Sequence, residues 1–144
     1  MPNYLVADLA SAAPTACPCG SARRAFAPSG EVASMHVTEI AANARTHYHR
    51  KMTELYLILE GEGHMELDGD RIPVRPMMTV LIRPGCRHRA VVAPGQRMRI
   101  VNVPVPAFDE DDEWFDDDGP TTDRTQPRVD AAMLPSPHNG DIPC

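Results

Sequence analysis

Apolar and polar residues alternate along most of the chain from Glu31 to Val103, the period of half-buried β-strands rather than of helices. In the first such run Val32, Ser34, His36, Thr38 and Ile40 take one face and Ala33, Met35, Val37 and Glu39 the other. A second strand is expected over Arg45 to His49, where Arg45, His47 and His49 share a face. In the third, Glu54 to Glu60, an inward Glu54 puts Tyr56 and Ile58 inward and Leu55, Leu57 and Leu59 on the opposite face. Gly61-Glu62-Gly63 then turns the chain into His64 to Asp68, with Met65 and Leu67 inward and His64, Glu66 and Asp68 outward. Asp68-Gly69-Asp70 reads as a hairpin turn leading to Ile72 and Val74. Val80 and Ile82 continue the core between Pro76 and Pro84, which mark strand ends. Ala90-Val91-Val92 and Met98 to Val103 are the last strands expected, the latter stopping at Pro104 and Pro106.

Composition agrees with this all-β reading. The 144 residues suffice for one domain and are too few for two. Fifteen prolines and nine glycines against three phenylalanines and one tryptophan describe a turn-rich chain. The expected organisation is a leader over residues 1–30 packing on a barrel of residues 31–108, then an acidic-aromatic segment, 109–118, and a proline-rich tail, 119–144. Phe108, Trp114 and Phe115 give the acidic segment a means of docking, whereas the tail has no periodicity and is expected to be disordered.

The net charge of -6 is local: residues 109–118 carry eight acidic and no basic side chains, while residues 1–108 carry 12 Lys and Arg against 9 Asp and Glu. A barrel so mildly basic lacks the dense cationic patch that nucleic acid requires, and that partner is rejected. No apolar run approaches a membrane span. Asp8 interrupts the first apolar stretch and no basic residue precedes Arg23, unlike a secretory signal, so the expected location is cytoplasmic and the four cysteines are expected as free thiols. Cys17-Pro18-Cys19-Gly20 is read as two thiols in a turn, and Cys86 as a loop thiol.

The candidate chemistry lies between His47 and His88. His47 and His49, two apart on a strand, aim at one point, and Glu54 follows after four residues that suit a turn into the next strand. His88 comes after the Pro84-Gly85 turn. The order His-x-His, four residues, Glu, six residues, Gly61, and later Pro-Gly-x-x-His, resembles the two motifs of the cupin superfamily. Ala41, Met77, Arg83 and Val92 depart from the motifs at positions that are not ligands.

That resemblance implies a double-stranded β-helix, the jelly-roll or cupin barrel. It also implies one divalent transition metal (Fe, Mn, Ni, Zn, Cu or Co) held by His47, His49, Glu54 and His88. With at most four positions filled by protein, room remains for a small-molecule ligand or dioxygen. Two function classes follow. One is a metal-dependent enzyme, either an oxidoreductase of the dioxygenase type or a Lewis-acid isomerase, decarboxylase or lyase. The other is a non-catalytic module that binds a metal or small ligand. Arg45, by its parity with the histidines, is expected to face the cavity and meet an anionic ligand, with a pairing to Glu39 or Glu60 at the rim as the structural alternative. Tyr56, inward with Glu54, is expected to add a hydrogen bond. The Leu55, Leu57 and Leu59 face needs a cover, and a homodimer is the simplest one.

Overall fold

The computed structural model describes residues 2–27 and 30–116. The tail expected over 119–144 lies outside the described residues. Nine strands and one 3-10 turn follow one another: β1 Thr15–Cys17, β2 Gly20–Ala25, β3 Met35–Ile40, β4 Thr53–Glu60, β5 Gly63–Leu67, β6 Asp70–Val74, β7 Thr79–Ile82, β8 His88–Val92, β9 Arg99–Val105 and the turn Glu110–Asp112. They form a six-stranded sheet, in the order β1-β2-β3-β9-β4-β7, and a three-stranded sheet, β6-β5-β8. Every pairing is antiparallel, and the crossovers between β3 and β9, β4 and β9, and β5 and β8 give the jelly-roll barrel.

Strand parity sets the interior. On β4, Glu54, Tyr56 and Ile58 are buried while Leu55 and Leu59 are exposed. Tyr56, Ile58, Met65, Val74, Ile82, Ala90, Met98 and Ile100, drawn from both sheets, make the core. Each fully buried aliphatic among them contributes roughly 1.5–3 kcal/mol. The hairpin between β5 and β6 has Asp68 at φ 50° and Gly69 at φ 92°, the two left-handed positions of a type I′ turn. Gly61 has no substitute: at φ 84° a Cβ there would stand 1.8 Å from the Arg97 carbonyl oxygen.

Four expectations change. The first thirty residues hold two strands, β1 and β2, that extend the larger sheet through the pairing of β2 with β3. Strand β3 begins at Met35; Ser34, His36 and Thr38 share a buried face, but Val32, expected on the same face, lies outside at 78% exposure. Strand β9 runs through Pro104 to Val105, because Pro104 stands beyond the end of β3 and its missing N–H leaves no gap in that ladder. Residues 45–49 do not form a regular strand. Only two isolated bridges occur there, His47 with His88 and Tyr48 with Trp114.

Candidate metal centre

Three local devices bring the four candidate ligands together. His47 and His88 exchange backbone hydrogen bonds of 3.1 and 2.9 Å, which ties the two halves of the motif directly. Glu54 reaches the same point from the inner face of β4. His49 is placed by a segment far along the chain: the carboxylate of Asp112 accepts the backbone N–H groups of Arg50, Lys51 and Met52, each at 3.0 Å. The Asp112 carbonyl accepts from His49 Nδ1 at 2.8 Å. Asp112 is itself buried and also accepts from the Trp114 indole at 3.3 Å. Around it Arg50 stacks on Trp114 and Arg45 on Phe115, so the acidic-aromatic segment docks through cation–π pairs as well as through Asp112. Sequence reading missed Asp112.

All three imidazoles share one hydrogen-bond pattern. His47 Nδ1 donates to the Arg45 carbonyl at 3.0 Å and His88 Nδ1 to the Cys86 carbonyl at 2.9 Å, as His49 does to Asp112. Backbone carbonyls only accept, so each Nδ1 carries the proton and each neutral ring turns its Nε2 lone pair to the interior. There the lone pairs meet an acceptor: Glu54 Oε2 lies 3.2 Å from His49 Nε2 and 2.9 Å from His88 Nε2. None of these three atoms has a directed hydrogen-bond partner. Asn102 Nδ2 donates to the other Glu54 oxygen at 2.7 Å and fixes the carboxylate.

The potential ligand atoms of the four residues lie within 4.8 Å of one another, and all four side chains are buried. Three lone pairs and a carboxylate converging in a dry site repel one another unless a cation stands between them, so the donor set fits a divalent ion. The same logic appears in protonation. Burial drives His47 down to about 3, helped by His88. For His49 burial also lowers the pKa, but the Glu54 carboxylate close to it outweighs burial and raises the value. Burial alone would raise Glu54, yet His49 and His88 hold it well below the usual carboxylate range.

A narrow cavity adjoins the cluster, lined by His47 and Glu54 together with Arg24, His36, Tyr56 and Asn102. Its inner part is narrow, and about 390 Å³ of space lies between its walls and out to the solvent. Tyr56 stays a phenol, raised well above its ordinary value by burial and then by the charge of Glu54. Cys17 and Cys19 lie on the same wall. A hydrogen bond from the Cys19 thiol, partly offset by burial, brings Cys17 down to about 6, while that bond and burial raise Cys19. Cys86 is pushed up to about 12 by burial and by Asp68, which leaves it an unreactive thiol.

The placing of Arg45 is corrected. It is exposed, its guanidinium lies 3.9 Å over the Phe115 ring, and its backbone carbonyl accepts from His47. The parity argument fails because residues 45–49 lack the strand geometry it assumed. The cavity's arginine is Arg24, on the inner face of β2.

The cupin-domain family model matches residues 29–104, more than half of the chain. The chain is a cupin. A solved protein from Planctomyces limnophilus is similar to this cupin at 38% identity, covering 80% of this chain and 97% of that one with a TM-score of 0.68. Two more distant structures share the fold. Pac13, a nucleoside dehydratase of Streptomyces, has 14% identity, 77% and 89% coverage and a TM-score of 0.62. Ectoine synthase from P. lautus has 22% identity, 77% and 88% coverage and a TM-score of 0.62. No curated protein matches the cupin's sequence. No helix among the described residues is long and apolar enough to cross a membrane.

Proposed function

We propose that this cupin is a metal-dependent enzyme acting on a small anionic organic molecule, by dioxygenase-type or Lewis-acid isomerase, decarboxylase or lyase chemistry. One observation carries the reading. The imidazoles of His47, His49 and His88 and the Glu54 carboxylate, all buried, bring their ligand atoms to within 4.8 Å of one another, and His49 Nε2, His88 Nε2 and Glu54 Oε2 have no directed hydrogen-bond partner. His47, His49, Glu54 and His88 would hold one divalent transition metal. A bound ion of that kind supplies Lewis acidity or, for iron, activation of dioxygen.

The chain's own residues do the rest. Asn102 orients Glu54, and the three carbonyl partners hold each imidazole in the ligating tautomer. The Tyr56 hydroxyl keeps its proton and can donate it in a hydrogen bond to a ligand in the cavity. The narrow walls limit how much water accompanies a ligand, which strengthens each polar contact there. Enzymes occur among the cupin's fold neighbours, so the fold accommodates catalysis without selecting a reaction.

A homodimer supports the same unit. Leu55, Leu59, Leu81 and Val105 are exposed together on the outer face of the six-stranded sheet, where register sets Leu55 opposite Leu81. A second copy would cover that face.

The test is elemental analysis of protein purified without added metal, beside His49→Ala and His88→Ala, followed by oxygen uptake with small acids, thiols and catechols. Bound metal in the wild type and its loss in both variants is expected, with a lower thermal midpoint. Full occupancy in both variants would falsify the metal site.

A further inference from the structure

The geometry points to Arg24 as the anchor for a small carboxylate ligand that spans from the metal cluster to the β2 wall of the cavity; this rests on the metal-dependent reading above. Register sets a polar row across the inner face of the larger sheet. Arg24 on β2 lies opposite His36 on β3, His36 opposite Asn102 on β9, and Asn102 opposite Tyr56 on β4. Asn102 holds Glu54, so one end of the row is the cluster and the other is a guanidinium. Two strand spacings, about 9–10 Å between Cα positions, separate Arg24 from Asn102.

Arg24 is poised rather than spent. Its guanidinium carbon lies 4.2 Å over the Phe108 ring. Phe108 is fixed in turn: its backbone N–H donates to Ser34 Oγ at 2.9 Å, and His36, hydrogen-bonded to the same hydroxyl at 3.1 Å, packs edge-on against the ring. Stacking satisfies the face of a guanidinium and leaves its N–H edge unused. Arg24 is half-buried, its Nε is buried with no hydrogen-bond partner, and it makes no ion pair among the described residues. Glu113 lines the same cavity without pairing to it. A buried donor left unmade costs stability, and a carboxylate in the guanidinium plane accepts two parallel N–H bonds and removes that cost. A ligand that chelates the metal at one end and carries a carboxylate at the other meets both requirements.

Calorimetric titration of zinc-loaded protein with oxalate, malonate and succinate uses chain length as a ruler for the gap. At least one acid should bind the wild type, and Arg24→Gln should weaken it about 10- to 100-fold with zinc content unchanged. Arg24→Lys, which keeps the charge and the stem, should recover only part of the affinity, since an ammonium lacks the planar fork. Arg71→Gln, exposed on β6, serves as the control for net charge and should bind as the wild type does. If the wild type holds no zinc, this inference and the metal reading fall together. If zinc is held but no acid binds, or Arg24→Gln and Arg24→Lys bind every acid as tightly as the wild type, Arg24 is only a packing residue and the metal reading stands.

Discussion

Replacing Asp112 with alanine removes a carboxylate shared by three backbone N–H groups while leaving the carbonyl that holds His49 in the chain. The Met52 N–H is buried and loses the carboxylate it donates to, a penalty of about 1–3 kcal/mol. Those of Arg50 and Lys51 are part-buried and can recover water, so each loses about 0.5–1.5 kcal/mol. The expected destabilisation is therefore about 2–6 kcal/mol, a large share of the 5–15 kcal/mol typical of a domain. Because the 50–52 loop carries His49, metal affinity should fall as well, by about 10- to 100-fold as for other groups that orient a ligand. Urea unfolding of metal-free protein reads the first effect, and competition with a chelator reads the second. Asp112→Asn, which keeps one acceptor oxygen, should fall between alanine and wild type. A stability within about 0.5 kcal/mol of wild type, the usual scatter of surface substitutions, together with unchanged metal affinity, would refute the clamp.

The inner face of β4 was legible because it depends on short-range geometry. A period of two places Tyr56 and Ile58 opposite Leu55 and Leu59 whatever the rest of the chain does. The four candidate ligands were legible from motif spacing instead, His47, His49 and Glu54 in one motif and His88 after Pro84-Gly85 in the other, although residues 45–49 do not form the strand expected of them. Strands β1 and β2 were not legible, since Thr15–Cys17 and Gly20–Ala25 contain one β-branched residue, Thr15, and take their extended form from pairing, β2 with β3 and β1 with β2. Reading residues 1–30 as a leader also hid the parity that turns Arg24 inward. Asp112 sits in a run of acidic neighbours, and nothing local distinguishes it from Asp111. Its selection is made by three N–H groups some sixty positions away, a contact that periodicity does not encode.

Two further predictions follow from the two faces of the larger sheet. On the outer face, Leu55→Lys combined with Leu81→Lys should yield a folded, metal-binding monomer by light scattering; a wild type that is already monomeric at micromolar concentration would remove the dimer. On the inner face, His36 links stability to pH. Burial, then the charge of Arg24, brings it from 6.5 to about 4, with Glu54 opposing. The unfolded chain therefore takes up this proton first as pH falls, so the group's contribution is fully present above 6.5 and is lost on acidification toward about 4. A shift of that size is worth about 3 kcal/mol. His36→Gln has no group to titrate there, and its metal-free stability should decline about 3 kcal/mol less than that of the wild type over the same window. His47 titrates in both proteins and cancels in the comparison. Parallel stability curves for the two proteins between those limits would mean that His36 is protonated in the fold as easily as in the open chain.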